Sequence, residues 1–341
     1  MTTNRLQNIK KRTAKELLEA QFSPREMVVE PWLRTEETAV IWAASGVGKT
    51  MLSLSLALAV AGGGKVASWD CPKARKVIYV DGEMNEQDIR DRIVHLLHSG
   101  AVALSEPGVA LDNLTIIARQ GQKVGMPFYD ITDKEGQDEL LRIANRPGVG
   151  LLILDNFTTL TETLDDENDA TQFKKVQDFF LQLKRVGVAT ILVHHSNKSG
   201  KQMRGSTALE TTFEVVLGLK APKIGQNGRA SFVTEFTKFR GKGDGRLDPK
   251  HWTLGDRGWE VSDADPEDLD ADPVLLALRS LNYVNQAEIA EKLGLNPSTV
   301  SRRIRKMEAI GVLKQGEAKK MFGHAEDLRS EEALVDQELT F

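Results

Sequence analysis

The segment 43–50 has the residue types and spacing of a phosphate-binding loop, reading Ala-Ala-Ser-Gly-Val-Gly-Lys-Thr. Its glycines let backbone N–H groups face phosphate oxygens, and a helix beginning here adds partial positive charge. We expect Lys49 to reach the β- and γ-phosphates and Thr50 to coordinate Mg²⁺. Ala43 departs from the pattern, because glycine is usual there. The residues expected to contact the nucleotide are Ser45, Gly46, Val47, Gly48, Lys49, Thr50 and Met51.

Two carboxylates follow other apolar runs. Asp155 ends Leu-Leu-Ile-Leu-Asp, where the carboxylate emerges at the end of a buried strand beside the loop, and we expect it to hold Mg²⁺ through water. Glu83 follows Val-Ile-Tyr-Val-Asp-Gly, and ligands bind where parallel strands end. We expect it to act as the general base for the attacking water, and the alternative is a surface carboxylate in a loop.

A pair of histidines ends a further apolar run, Ile-Leu-Val-His-His. Beside a phosphate site they suggest a sensor of the γ-phosphate, and we favour His195 over His194 for that role. A metal pair is the alternative, but no Cys or Glu at ligand spacing accompanies them.

The elements that must position these groups alternate along the chain. Apolar strands separated by helices predict a parallel sheet with helices on both faces. The strands are expected at 38–44, 76–80, 114–118, 150–154 and 189–193, and the helices at 50–61, 86–97, 134–144 and 170–186. Strands without intervening helices, at 213–219, 230–239 and 252–261, predict antiparallel hairpins that extend one edge.

The length, charge and composition of the chain limit the number of domains and the kinds of partner. The chain has 341 residues, long enough for about two domains, and a net charge of -4, so nucleic acid could be bound only by local basic patches. One cysteine indicates a reducing compartment, the cytoplasm, and no run is long and apolar enough to span a membrane. The expected divisions are a basic arm (1–35), an ATPase domain (36–262), an acidic linker (263–272), a helical unit (273–325) and a polar tail (326–341).

The ordered set of motifs resembles the RecA-type P-loop ATPases, and within them the RepA-type and DnaB-type hexameric replicative helicases. The resemblance covers roughly residues 30 to 260. It implies an α/β fold, a RecA-like, mostly parallel sheet flanked by helices, and it implies ATP and Mg²⁺ as cofactors. It also implies that Lys49, Glu83, Asp155 and His195 act in catalysis.

That family carries a Lys-x-Arg that enters the neighbouring subunit's site. Here Lys238 and Arg240 fit the pattern, and a cation supplied in trans accelerates related chemistry by on the order of 10³-fold or more. The two residues could instead be charges that protect an edge strand. In the family, the loop after the sensor strand grips single-stranded DNA in a central channel. Here that loop is basic and contains Lys198, Lys201 and Arg204, although a solvated loop is an equal interpretation.

The C-terminal unit has the pattern of a helix-turn-helix. A helix at 285–293 is followed by a Gly-Leu-Asn turn and a second helix at 297–310, and 311–322 is expected to form a hairpin, which would make a winged helix. Residues 296–320 carry a local charge of +5. The residues expected to contact duplex DNA are Ser298, Thr299, Ser301, Arg302 and Arg305. Such units also serve in protein contacts.

These features favour an ATP-hydrolysing, ring-forming DNA motor of a plasmid, phage or other mobile element. It would be a homo-hexamer with single-stranded DNA in its channel, duplex DNA on its winged helix and other replication proteins as partners. The alternative is an ATP-switched DNA-binding regulator that does not unwind DNA. A small-molecule kinase is disfavoured, because no acceptor-binding lid is evident and the helix-turn-helix would have no role.

Overall fold

A computed structural model describes residues 9–162, 170–197, 202–204, 211–222, 230–264, 273–309, 313 and 315–338. The described strands that form its main sheet are β3 (Thr38–Ala43), β6 (Lys76–Asp81), β8 (Leu114–Ala118), β9 (Val149–Asp155), β10 (Ala189–His195), β11 (Val215–Lys220), β12 (Ala230–Phe239), β13 (Lys250–Gly255) and β14 (Gly258–Asp263). Their order across this nine-stranded sheet is β14-β13-β12-β11-β3-β10-β9-β6-β8.

The central part of the sheet is parallel. Strands β11, β3, β10, β9, β6 and β8 pair in parallel, and β12, β13 and β14 then extend one edge by antiparallel pairing. The sequence predicted this division, except that β11 was expected to be antiparallel and instead lies parallel to β3. Strands β10 and β11 lie on opposite sides of β3 and are both parallel to it, so the connection between them crosses over β3. Strand β12 instead pairs with β11 in the antiparallel direction.

Helices cover both faces of the sheet, as the buried strand runs require. The helices of this domain are α2 (Lys49–Gly62), α3 (Glu86–His98), α4 (Pro107–Asn113), α5 (Lys134–Ala144) and α6 (Ala170–Arg185). Along β9, Leu151 and Ile153 pack with α2 and α3, whereas Leu152 and Leu154 pack with α5 and α6. Because both faces are buried, the strand reads as a continuous apolar run. The predicted α/β fold class is confirmed.

The segment before the main sheet contradicts part of the expected arm. Helix α1 (Ala14–Glu19) lies on the surface, but β1 (Met27–Val29) and β2 (Leu33–Arg34) pair with each other and pack into the core. Trp32 packs edge-on against Trp69 with a ring-centroid distance of 5.5 Å. Residues 27–34 therefore belong with the ATPase core, because their apolar side chains are buried by it.

A second, three-stranded sheet was not expected from the sequence. It contains β4 (Gly64–Val66), β5 (Trp69–Cys71) and β7 (Ala103–Leu104) in the order β5-β4-β7. Its strands are two or three residues long, too short for an alternating pattern to be visible.

The C-terminal unit contains α7 (Pro273–Arg279), α8 (Gln286–Leu293), α9 (Pro297–Ala309) and α10 (Glu317–Glu338). Val300, Ile304 and Met307 are buried on one side of α9, as the helical spacing predicted. The expected hairpin is wrong over residues 317–322, which lie in α10, and residues 311 and 312 are outside the described part. The helix also continues through most of the segment 326–341 that was expected to be a frayed tail.

Of the helices that the structure describes, none has the length and apolar character needed to cross a lipid bilayer.

Candidate functional site

A cavity of 460 Å³ lies where the parallel strands end, at the N-terminus of α2. Strand register brings its parts together, because β3 pairs Ala43 with His195 and β6 pairs Asp81 with Asp155. The residues that line it are Ser45, Gly46, Gly48, Lys49, Thr50, Met51, Asp81, Glu83, Met84, Arg92, Asp155, Asn156 and His195. Ligands of open α/β sheets bind at this end of the strands.

The loop before α2 has the backbone expected of a phosphate cradle. Gly46 and Gly48 have φ angles of 78° and 124°, which favour glycine. A Cβ atom on Gly48 would lie 2.5 Å from the Cβ of Ala230, so this position also needs glycine for space. Of the expected loop contacts, Val47 does not line the cavity and is instead buried in the core.

Lys49 is the first residue of α2 and is almost fully buried. Its Nζ donates to the carbonyl oxygens of Ala43 and Ala44, each at 3.0 Å, and lies 3.4 Å from Nδ1 of His195. Burial lowers the pKa of the Lys49 ammonium, and the nearby Asp155 and Glu83 carboxylates oppose that shift. The lysine is therefore held beside the loop by contacts that a phosphate oxygen could replace.

Asp155 lies at the end of β9 and is buried. Its Oδ2 accepts a hydrogen bond of 2.6 Å from the Tyr79 hydroxyl, which lies 2.9 Å from the Ser53 Oγ. The Thr50 side chain also donates to it. Burial raises the pKa of Asp155, and the hydrogen bonds from Tyr79 and Thr50 oppose that shift. The Thr50 and Asp155 side chains are thus close enough to bind the same Mg²⁺ ion.

Asp81 is a second buried carboxylate beside Asp155. Burial, and then the Asp155 charge, raise the pKa of Asp81 to about 6. Its Oδ1 accepts hydrogen bonds from the backbone N–H groups of Glu83 at 2.9 Å and Met84 at 2.6 Å. Asp81 therefore fixes the turn that carries Glu83, a role that the sequence interpretation did not assign.

Glu83 is exposed at the mouth of the cavity and is held in place by a neighbour. The Asn156 side chain, which is buried, donates from Nδ2 to Glu83 Oε2 at 2.7 Å. The Gln120 side chain donates to the Glu83 carbonyl oxygen. This geometry differs from that of an unrestrained surface carboxylate, because both the side chain and the backbone of Glu83 are bound.

The two adjacent histidines have different environments. The ring of His194 is buried, with Nε2 2.8 Å from the Arg204 carbonyl oxygen and the Phe157 ring edge-on at 4.8 Å. Burial lowers the pKa of His194 to about 3, so its ring is neutral. His195 lies in the cavity. Because the Lys49 ammonium can only donate, Nδ1 of His195 is the acceptor in their contact.

In the described part of the chain no group of three or more His, Cys, Asp or Glu side chains could hold a metal ion. Magnesium is different, because it is held by one or two protein oxygens and the phosphates of its nucleotide. The Thr50 and Asp155 oxygens fit that requirement.

Lys238 and Arg240 lie on and just after β12, away from the cavity of their own chain. Lys238 donates to the Thr211 carbonyl oxygen at 3.2 Å. The Arg240 guanidinium is 60% exposed and lies 3.7 Å from Glu214. Neither residue completes the site in cis.

The basic loop after β10 is described only at its ends. Lys198 and Lys201 are outside the described residues. The backbone N–H of Arg204 donates to the His195 carbonyl oxygen at 3.0 Å, and its side chain is exposed. The backbone of Arg204 therefore contacts both histidines.

Helix α9 presents its polar residues away from the small core of the C-terminal unit. Ser298, Arg302 and Arg305 are exposed, and Thr299 and Ser301 are partly exposed. Gly294 ends α8 with a φ of 63°, which makes the tight turn between the two helices. The arrangement is that of a helix-turn-helix with an available second helix.

Four polar residues of the site were missed by the sequence interpretation: Asp81, Arg92 and Asn156 line the cavity, and Tyr79, which is not part of the lining, donates to Asp155. Asp81 and Asn156 each adjoin the end of a predicted strand, so their position was a usable signal. Tyr79 lies within a strand, and Arg92 on α3 is nine residues beyond Glu83. Only the packing of α3 over the sheet brings Arg92 to the cavity.

Comparison with known proteins identifies two families in the chain. Residues 3–201 match the family model described as an AAA domain, and residues 275–314 match the model described as a winged helix-turn-helix DNA-binding domain. No curated protein matches the chain.

Among solved structures, the chain matches the KaiC-like protein of the hyperthermophilic archaeon Pyrococcus horikoshii, with 15% identity and a TM-score of 0.48, over 69% of this chain and 93% of that one. The AAA match spans more than half of the 341 residues and includes the loop, Glu83, Asp155 and both histidines. The chain belongs to the AAA domain family and carries a winged helix-turn-helix domain after it.

Proposed function

We propose that this protein is an ATP-hydrolysing DNA motor that assembles from several copies, similar to a replicative helicase of a plasmid, phage or other mobile element. The observation that carries the proposal is the cavity in which Lys49, Thr50, Asp155 and a restrained Glu83 meet. A phosphate-binding loop alone is compatible with a nucleotide switch. A carboxylate held by Asn156 at the mouth of the same cavity favours turnover, because hydrolysis needs an oriented base for water.

Each side chain has a role in that reaction. The backbone of the loop and Lys49 bind the phosphates, and Thr50 and Asp155 hold Mg²⁺, which when bound offsets the negative charge of the phosphate oxygens. Glu83 accepts the proton of the attacking water, with Asn156 fixing its orientation. His195 donates from Nε2 towards the γ-phosphate and is linked to Lys49 through Nδ1.

The cation that would complete the site comes, in this proposal, from a neighbouring copy. The support is that Lys238 and Arg240 lie off the cavity in their own chain, and that Arg240 is 60% exposed. An arginine supplied in trans stabilises charge on the transferring phosphoryl group. A homo-hexameric ring is the assembly that we propose for this arrangement.

DNA is the proposed partner of two parts of the chain. Duplex DNA would bind α9 through Ser298, Thr299, Ser301, Arg302 and Arg305, of which the arginines carry most of the attraction to phosphates. Single-stranded DNA would bind the loop that contains Lys198, Lys201 and Arg204. Since this loop is anchored to His194 and His195, a change at the γ-phosphate can reach it directly.

The test measures ATP turnover with and without single-stranded DNA. Turnover should rise with DNA, fall at least 100-fold in Glu83→Gln, and fall similarly in Arg240→Ala. Arg257→Ala is the matched control, because Arg257 is an exposed arginine on the same antiparallel extension. Mixing Lys49→Ala chains with Arg240→Ala chains should restore part of the activity. At some interfaces the Arg240→Ala chain then supplies an intact Lys49, and the Lys49→Ala chain supplies an intact Arg240. Unchanged turnover in Glu83→Gln would contradict the proposal.

A second candidate is an ATP-switched DNA-binding regulator, which the winged helix-turn-helix match favours. Strand-displacement assays distinguish the two. A specific duplex bound only with ATP, together with no displacement at any protein concentration, would support the regulator and exclude the motor.

A further inference from the structure

The edge strand β8 ends beside the turn that carries Glu83. In the parallel pairing of β8 with β6, Ala118 lies opposite Asp81, so the residues after β8 run alongside the residues after β6. Residues 119–121 form a short 3₁₀ turn there. None of these three residues lines the nucleotide cavity. Any effect of this turn on hydrolysis must therefore pass through another residue.

The first contact of this turn is with the backbone of Glu83. The Gln120 side chain donates from Nε2 to the Glu83 carbonyl oxygen at 2.5 Å. Gly121 lies so close to the Glu86 side chain, in the first turn of α3, that a Cβ atom on Gly121 would collide with it. The turn after β8 is therefore packed against both ends of the segment 83–86, and it fixes the backbone from which the Glu83 carboxylate extends.

The second contact is with the loop that follows Asp155. The Arg119 guanidinium donates to the Thr159 carbonyl oxygen at 3.2 Å and forms an ion pair with Glu162. Its Cζ atom also lies 5.9 Å from the centroid of the Phe128 ring. Three partners from two segments thus hold the Arg119 side chain, which is 34% exposed.

The loop that Arg119 binds is the one that orients the Glu83 carboxylate. The Thr159 N–H donates to Asn156 Oδ1 at 3.2 Å. Because this bond engages the oxygen of the amide, the Asn156 Nδ2 group faces Glu83 and donates to Oε2 at 2.7 Å. A continuous series of hydrogen bonds therefore runs from Arg119 through Thr159 and Asn156 to the carboxylate of Glu83.

We propose that Arg119 and Gln120 are positioning residues for Glu83, the first for its carboxylate and the second for its backbone. This inference rests on the proposed role of Glu83 as the general base. A base accepts the proton of the attacking water only at hydrogen-bonding distance, about 2.6–3.2 Å, and a misplacement of about 1 Å can lower a rate about 10²-fold. Neither residue lines the cavity, so both act on the rate of hydrolysis and leave nucleotide binding unchanged.

Gln120→Met tests the backbone contact, because it removes the donor to Glu83 and keeps a side chain of similar length. Gln122→Met is its matched control, since Gln122 is exposed on the same loop and donates from Nε2 to the carbonyl oxygen of Ala118 at 2.9 Å. Turnover is measured with the full chain at saturating Mg²⁺. We expect Gln120→Met to lower kcat about 10-fold with less than about a 2-fold change in KM. Gln122→Met should keep the kcat and KM of the parent.

Arg119→Met and Arg119→Lys test the carboxylate contact. Arg119→Met should lower kcat by about 10-fold or more, again without a matching change in KM. Arg119→Lys should recover part of that loss, because an ammonium group can still pair with Glu162 and donate to Thr159. Arg246→Met is the matched control, since Arg246 has the same exposed fraction of 34%, pairs with two carboxylates and is not part of the cavity lining.

Combination with Glu83→Gln separates positioning from a general loss of structure. If Arg119 and Gln120 act only through the Glu83 carboxylate, adding Arg119→Met or Gln120→Met to Glu83→Gln should lower the single-turnover rate by less than about 2-fold. Urea unfolding and binding of a fluorescent ATP analogue, measured on every variant, should match the parent. Should Arg119→Met fail to fold, Arg119→Lys and Gln120→Met still decide the question.

The parent's kcat in either Gln120→Met or Arg119→Met would overturn the proposal. Losses no larger than those of Gln122→Met and Arg246→Met, or losses that persist in full beside Glu83→Gln, would overturn it as well. Parent turnover in Glu83→Gln would contradict the role of Glu83 as the base, and with it the proposed function. A large loss in Glu83→Gln with none in the Arg119 and Gln120 variants would overturn only the positioning.

Discussion

Removal of one hydroxyl group from the core of the cavity gives the sharpest test of how Asp155 is held. Tyr79 is fully buried, and its hydroxyl donates to Asp155 and lies within hydrogen-bonding distance of Ser53. Tyr79→Phe keeps the ring and removes only this link. Asp155 then keeps the Thr50 contact, and Ser53 keeps its 3.1 Å bond to the Thr50 carbonyl oxygen.

The magnitude follows from the geometry. A buried hydrogen bond to a carboxylate contributes about 1.5–3 kcal/mol, so Tyr79→Phe should lower the free energy of unfolding by about 2 kcal/mol at pH 7.5. Loss of the donor also raises the pKa of Asp155 further, since this hydrogen bond favours the charged form. Protons then compete better for the carboxylate that would hold Mg²⁺.

The assays are urea unfolding and a Mg²⁺ titration of nucleotide binding, both from pH 6 to pH 8. We expect the Mg²⁺ concentration for half-saturation to rise in Tyr79→Phe, and to rise more at the lower pH values than at the higher ones, because a higher pH favours the charged carboxylate. Tyr129→Phe is the matched control, since its hydroxyl is remote from the cavity lining. Tyr79→Phe with the parent's stability and Mg²⁺ dependence would refute this account of Asp155.

Two other predictions concern the loop and the histidine pair. Gly48→Ala should destabilise the protein by at least ~2 kcal/mol in urea unfolding, because a φ of 124° and a 2.5 Å approach to Ala230 both oppose a side chain. Gly100→Ala, with a φ of 70° and no atom within 4 Å, is its control and should cost about 1 kcal/mol; equal losses in the two variants would contradict the steric argument. The pKa of His194 is lowered in the folded state, so the stability that it contributes is complete above pH 6.5 and is lost as pH falls towards about 3. At about 1.4 kcal/mol per pH unit, the free energy of unfolding should fall by roughly 2.7 kcal/mol between pH 6.5 and pH 4.5. In His194→Gln, the free energy of unfolding should depend less steeply on pH over this range. An unchanged slope in His194→Gln would show that other groups cause it.

Much of the central domain could be predicted because its signals are local. The apolar runs of β6, β9 and β10 are continuous since helices bury both sides, and the glycines before Lys49 have few other uses in that setting. Element bounds were therefore close to those observed, as in helix α5 at Lys134–Ala144. The AAA family model matches residues 3–201 and the winged helix-turn-helix model matches residues 275–314.

The short elements could not be predicted in this way. Strands of two or three residues such as β4 and β7 show no periodicity, and their pairing depends on contacts with distant segments. Trp32 is buried because its ring packs against those of Trp69 and Phe236, which are distant in the sequence. The segment 317–322 has turn residues before it and helix formers within it, and packing against the other helices of its unit favours the helix.

The identity of the chemically useful residues follows from local sequence: a loop that needs glycine, a lysine at a helix start, and carboxylates after buried strands. Their relationships depend on the tertiary structure instead. Strand register places Asp81 beside Asp155, and the packing of the strand ends lets Tyr79 hold Asp155 and Asn156 hold Glu83. The physical reason is that a hydrogen bond or a pKa shift depends on distances of a few ångströms between residues far apart in the chain, and only folding sets those distances.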